Sequence, residues 1–509
     1  MAGIFYPIVK YLRQLAAYSL DLPRNLFYNT YTELIDSQSP KFYSAVSIEK
    51  GGIFLMKNKS VDLTQGSITR AMLLFALPLL GTSIIQQMYN TVDLMFFGNL
   101  LGQDASAAVG TCSWPINCFV GFFTGMGVGI GVLVSQAYGG KDFPRLKKIL
   151  HTAMGFSVIG SAVLLLIGWI FAPAILRLMN TPDEILNLAV MYARIYFLSM
   201  FSIVGFNFSS GILRALGDSR RPMIYQLLGG FANILGNTLF IYIFHFGVAG
   251  AAMATFLSQT VAAVLTIHRL CHLQKEYRLC LREIRIQPHT LKQIFSIGVP
   301  VGVQTTVVSL SLVLLQSQIN TMGVTSMAAY TSYGKLEGLV YFPMWAVGQA
   351  VTTFVGQNLG CGQLRRAEKG TKVGLIMGIL ITVCITLSLT AGAHVVMRLF
   401  SSDAAVIDLS SKIVVRLFPL YFIYVFVEIF AGAIRGAGKA AAIMCITLLN
   451  MFAIRLLFLY IAMQIFDTVY DVALIFPATW VTTALCVSIY YFSGKWKRDW
   501  SESASPRTA

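Results

Sequence analysis

The chain has 509 residues, 56% of them hydrophobic and only 12% charged, with a mean hydropathy of +0.69. A soluble domain is nearer half apolar and a quarter charged, so these figures exclude an ordinary soluble enzyme and point to a chain that crosses a membrane many times. The formal net charge of +16 sits in short loops between apolar runs, which is a positive-inside pattern and not a phosphate-binding face, so no nucleic acid partner is expected.

Residues 1–65 are neither apolar enough to span nor organised like a secretory signal, since MAGIFYPIVKYLRQLAAYSL (1–20) is interrupted by Lys10 and Arg13. They read as an extension, and everything ahead of Met56 is expected to be dispensable. Twelve apolar segments follow, at 71–97, 106–135, 150–175, 187–210, 223–245, 249–268, 293–319, 327–357, 374–396, 411–433, 440–464 and 472–493. All exceed the length of a barrel strand and are helix candidates.

The loops between them alternate in charge. Lys and Arg cluster at 141–148, 214–221, 269–292, 365–372, 435–439 and 495–498, whereas 98–106, 245–250, 320–326 and 465–471 have none. Arg177 and Arg398 are the exceptions on the second side. This bias places both termini and the long middle loop in the cytoplasm, with the chain in the plasma (inner) membrane. The eight cysteines are scattered, and Cys112, Cys118, Cys384, Cys445 and Cys486 lie within apolar segments, so no disulfide framework is expected. The run HRLCH (268–272) lies in a basic loop without acidic partners and is read as loop, not as a zinc site.

Self-similarity appears at one offset. Gln136 matches Gln357 and Arg177 matches Arg398 at 221 residues, and Pro78 matches Pro300 at 222. GILRALGD (211–218) recurs as GAIRGAGK (432–439), so that Gly211, Arg214 and Gly217 return as Gly432, Arg435 and Gly438. A duplicated six-helix unit follows. Six is even, so both copies insert in the same orientation, related by an axis along the membrane normal with a cavity between them near the midplane. The expected fold is an all-α polytopic membrane protein with twelve transmembrane helices in two homologous six-helix bundles. Its N-lobe covers 66–268, a basic linker 269–292, its C-lobe 293–493 and a tail 494–509.

Within the first span, NTVDLMFFG (90–98) carries Asp93 in an otherwise uncharged run. A carboxylate there costs at least a few kcal/mol to insert, so it marks a function by default. Asn233 and Asn237 in the fifth segment are four apart and share one helical face. Their amide oxygens can ligate a hard cation or bond a carboxylic acid. Burial disfavours the charged form of a carboxylate, so Asp93 is expected to take up a proton or accept Na⁺ with those amides.

These residues resemble the MATE (multidrug and toxic compound extrusion) family, in its bacterial type. The resemblance covers about residues 57–493 and rests on Pro78 ahead of NTVDLMFFG, on SQAYGGKD (135–142) and on GILRALGD. In the second half it rests on TSYGKLEGLVYFPMWAVGQAVTTFVGQNLGCG (331–362). It implies a secondary active antiporter, driven by H⁺ or Na⁺, that exports small organic and often cationic amphipathic compounds by rocking of two lobes. By the same resemblance Asp93, Asn233, Asn237 and Thr255 form the cation-coupling site. Many relatives have Asp where this chain has Asn237, which puts a strong sodium preference in doubt. The middle of the seventh segment holds no acid, so a sodium site of the kind some relatives place there is not expected.

Other candidates are assigned to the substrate cavity: Tyr89, Tyr330, Lys335, Glu337, Tyr341, Tyr424 and Glu428. The tyrosines can offer faces to an organic cation. Arg455 is read as a buried pairing residue. The glycines of GMGVGIG (125–131) lie inside a span with no strand before them, so close helix packing is the better reading than a nucleotide loop. No cofactor is expected beyond the coupling ion, no metal beyond Na⁺ at that site, and no enzyme activity; the partners are a small-molecule substrate and the lipid bilayer, and the chain is expected to be monomeric. The alternative reading is an exporter or flippase of a lipid-linked saccharide or other amphiphile, and several arginines lining the cavity would favour it.

Overall fold

The computed structural model describes residues 48–49, 52–53, 61–96, 101–179, 181–466 and 468–504. Two units separate, Met1–Lys59 and Ser60–Ala509. In the first, β1 (Ile48–Glu49) pairs antiparallel with β2 (Gly52–Ile53). Most of the extension expected to be dispensable lies outside the described residues.

The second unit is helical. Its spans are α1 (Ile68–Phe96), α2 (Gly102–Gly139), α3 (Phe143–Leu178), α4 (Asp183–Leu198 with Met200–Ala215), α5 (Arg220–Ile243) and α6 (Gly247–Cys271). The second set is α7 (Pro288–Asn320), α8 (Val324–Gly360), α9 (Leu364–Ala391), α10 (Ala404–Gly436), α11 (Ala440–Ile465) and α12 (Val469–Phe492). Among the described residues eleven are long and apolar enough to cross singly, and α4, taken as one span, makes a twelfth from two helices bent by 42° at Ser199. Large apolar side chains such as Leu166, Ile170, Leu380, Leu387 and Ile489 point outward, a surface suited to lipid.

Local sequence explains where these helices stop. Gly217 and Gly438 take φ of +86° and +89°, which only glycine adopts without cost. They end the second limb of α4 and the end of α10 identically: the N–H of Asp218 reaches the carbonyl of Leu213 at 2.9 Å, and that of Lys439 reaches Ile434 at 3.1 Å. This is the Schellman closure, and it is what the repeated Gly-x-x-Arg-x-x-Gly pattern encodes. Asp142 caps α3 by accepting from the N–H of Arg145 at 3.0 Å, and Asp403 caps α10 by accepting from Ala405 and Val406 at 2.8 and 3.4 Å. Several helices outrun their apolar segments: α3 starts at Phe143 rather than near 150, because a polar helical turn costs nothing once it has left the bilayer.

Among the described residues two large apolar cores form, and they do not follow the halves of the sequence throughout. One gathers α2 to α6 together with Ile294, Ile297 and Val301 from the start of α7. The other gathers α8 to α12 with Met72, Phe75 and Leu79 from the start of α1. The far ends return home: Phe96 packs in the first core, and Leu315 and Ile319 in the second. Helices α1 and α7 therefore each change partners along their length, with Pro78 and Pro300 beside the last of the first contacts, Leu79 and Val301. The stretch before α1 also ties the halves. Val61 N–H bonds Gly217 O at 3.0 Å, and Leu63 O accepts from Asn358 Nδ2 at 3.1 Å.

Candidate functional site

Asp93 lies in the last turns of α1, facing α5. Gly229 and Gly236 let α5 lie close on α6, against Ser258 and Ala254, which leaves Asn233 and Asn237 fully buried on the side towards α1. Asn237 Nδ2 donates to Asp93 Oδ1 at 2.5 Å and lies 3.2 Å from Asn233 Oδ1. Two buried amide atoms, Asn237 Oδ1 and Asn233 Nδ2, have no hydrogen-bond partner among the described residues. Immediately after Asn237 the helix widens into a π segment, Thr238–Ile243, a feature frequent at functional sites. The structure thus brings together Asp93, Asn233 and Asn237. Thr255 on α6 bonds its own helix, donating to Ala251 O at 3.2 Å, and is not among the partners of Asp93.

Tyr89, four residues before Asp93 on α1, lies near this carboxylate. Tyr192 and Tyr196 of α4, with ring centroids 5.9 Å apart, also lie within the field of Asp93. Sequence reading missed these two. Their four-residue spacing is visible in MYARIYFL (191–198), yet nothing local says that they come within the field of Asp93.

The candidates of the second half form a packed polar and aromatic cluster. Glu337 accepts from Tyr421 OH, which also lies 3.2 Å from Tyr333 OH. Tyr341 and Tyr424 stand 6.2 Å apart, and Tyr330 packs against Tyr333 and Phe476. Glu428 is committed to Arg435, Nη2 to Oε1 at 2.9 Å, with both side chains nearly buried. Arg455, only 2% exposed, is held by Thr479 Oγ1 at 3.2 Å and lies over the Phe476 ring. Lys335 is exposed on another face of α8 and does not join them.

Between the halves lies a narrow cleft lined by Phe75, Gly131, Ser135, Arg214, Gln349 and Thr352 among others. Arg214 is the repeat counterpart of Arg435. Where Glu428 meets Arg435, the matching position holds Asn207, which bonds Thr124 and Ile203. Helices α2 and α7 meet through glycines, Gly125 against Gly302 and Gly129 against Gly298, leaving no room for a side chain.

At the basic end, His151, Cys280 and Glu283 bring potential ligand atoms within 4.8 Å of one another. The histidine and the glutamate are otherwise engaged. His151 Nδ1 lies 2.8 Å from Lys147 O, and its Nε2 accepts from the N–H of Cys280 at 3.1 Å. Glu283 pairs with Lys147 at 2.6 Å, and that bond holds its carboxyl below the usual carboxylate range. These contacts dock the linker onto α3.

The MatE family model matches residues 78–239 and 300–461, two copies that together exceed half the chain. The chain is 29% identical over 399 residues to "Probable multidrug resistance protein YoeA" of Bacillus subtilis, covering 76% of this chain and 85% of that one. It is 26% identical over 391 residues to the multidrug export protein MepA of Staphylococcus haemolyticus, with 75% and 85% covered. Its fold matches the crystal structure of MATE in the bent conformation with a TM-score of 0.81 at 22% identity, over 88% of this chain and 100% of that one. An outward-facing multidrug resistance MATE transporter of the MOP superfamily matches with a TM-score of 0.77 at 23% identity, over 88% and 99%. The two matched copies coincide with the duplicated halves, and on that evidence the chain belongs to the MATE family of multidrug efflux transporters.

Proposed function

We propose that the chain is a proton-coupled antiporter that exports small organic, often cationic amphipathic compounds by alternating access of its two halves. The observation that carries this reading is the Asp93–Asn237–Asn233 cluster: one carboxylate at membrane depth whose described partners are amides and not a cation. A proton is the ion that this donor set suits. A single charge is neutralised by one proton, and the orphaned Asn237 Oδ1 gives the acid O–H an acceptor once the amide turns over. Sodium prefers a fuller set of oxygens, and Asn237 presents its nitrogen, not its oxygen, to Asp93. Loading removes a buried charge, which gives α1 and α5 a physical reason to repack.

The loop charges support placing the basic end, both termini and the linker in the cytoplasm of a plasma-membrane protein. The one arginine among the lining residues of the cleft, Arg214, gives little support to a lipid-linked saccharide as cargo. The test is purified protein in liposomes loaded with a fluorescent organic cation, with a pH gradient imposed and then a sodium gradient. Efflux should follow the pH gradient; efflux that follows sodium alone would overturn the choice of ion. Asn237→Asp should move the protein the other way. A second carboxylate beside the first makes full deprotonation costly unless a cation sits between them, so sodium-dependent efflux is expected to emerge in that variant. Sodium independence of Asn237→Asp would show that residue 237 does not choose the ion.

A further inference from the structure

Two buried glutamines join the halves at their basic ends, and they do so in the same way twice. Gln136, near the end of α2, donates from Nε2 to the carbonyl of Gly436 at the end of α10, 2.9 Å away. Gln357, near the end of α8, donates to the carbonyl of Ala215 at the end of α4, 2.7 Å away. Gln136 and Gln357 are 221 residues apart, and so are Ala215 and Gly436. Each half thus presents the same donor to the same acceptor of the other. Both side chains are buried, at 6% and 1% exposure.

The acceptors are not arbitrary. Ala215 and Gly436 are the last residues of their helices, where carbonyls are left over from the hydrogen-bond ladder. Between the two bonds α2 and α8 cross with their backbones in contact: a side chain on Gly139 would strike the backbone of Gln357, and one on Gly360 the backbone of Gln136. This crossing lies beside Ser135, which also lines the central cleft. A permanent seam could be filled by apolar side chains of similar size. A buried amide instead makes the closed arrangement depend on the opposite half's carbonyl, because an unsatisfied N–H there is costly. Once the halves part, water satisfies donor and acceptor alike, so the bond can be exchanged in both directions.

We propose that Gln136 and Gln357 form a paired latch that holds the basic end of the central cavity shut and must release on both sides for that end to open. The inference rests on the reading of the chain as an alternating-access exporter, but its test reads distance and not flux. Spin labels would be attached at Lys141→Cys and Gln363→Cys, exposed positions just past α2 and α8, with the eight native cysteines replaced. Without substrate, one short-distance population should dominate in the otherwise unaltered protein. Gln136→Leu and Gln357→Leu should each raise a long-distance population by about three- to tenfold, to similar extents, and the double variant by more. The near-isosteric Gln136→Met and Gln357→Met keep the length but lose the Nε2 donor, and should shift the distribution in the same direction. They decide the matter if the leucine variants do not purify as folded protein. An unchanged distribution in the double variant, or in both methionine variants, overturns the latch. Absence of proton-driven flux would count against the proposed function and leave the distance result standing.

Discussion

Asp93→Asn should reduce gradient-driven efflux by at least about tenfold, equivalent to about 1.4 kcal/mol or more of lost coupling. The substitution keeps the shape of the side chain and its place beside Asn237, so the helices should pack as before. What it removes is the one group of the cluster that can change charge. A transporter locked in the neutral form cannot use a proton gradient to bias its two conformations, since a ligand shifts an equilibrium only by its differential affinity for the two states. Substrate exchange without a gradient should survive better than uphill efflux. Uphill efflux at the wild-type rate would move coupling out of the first half altogether, towards Glu337, which bonds Tyr421.

The second large effect is expected at the ion pair inside the other half. Glu428→Ala leaves the Arg435 guanidinium with no carboxylate in a site where both side chains are under 10% exposed. Removing one partner of such a pair costs about 3–5 kcal/mol, whereas replacing both with well-packed apolar groups is often close to neutral. Thermal unfolding of Glu428→Ala should therefore come at a markedly lower temperature than that of the unaltered protein, and Glu428→Leu combined with Arg435→Met should recover most of the loss. Gly348 packs directly under the Glu428 carboxyl, so the leucine must fit that contact. Equal destabilisation in the single and double variants would mean that Glu428 acts through packing and not through its charge.

Much of this arrangement can be read from the chain before any coordinates. Asp93 stands out because charge is rare in a span, and Asn233 and Asn237 because a four-residue spacing puts them on one face. The repeat pairs Gln136 with Gln357 and Arg214 with Arg435. What it does not reveal is which half a side chain touches. Helices α1 and α7 exchange cores part-way along, and no periodicity records that. The bend at Ser199 is silent for a similar reason: the apolar run 187–210 is continuous in composition, and within it Tyr192 and Tyr196 look like lipid or packing residues. Contacts such as Tyr421 with Glu337, 84 residues apart, depend on helix packing that hydropathy alone does not encode. Thr255 is placed in the ion site by the family resemblance alone, and in the structure its hydroxyl donates to its own helix.

The central claim is that binding cargo displaces a proton from Asp93, and proton release reads it most directly. Purified protein in weakly buffered solution, at a pH where the loaded form is populated, would receive a saturating organic cation while pH is followed with an indicator dye. Release approaching about one proton per transporter is expected from the linkage between the two ligands, falling to near zero in Asp93→Asn. Equal release from the wild type and from Asp93→Asn, with cargo still bound, would contradict it.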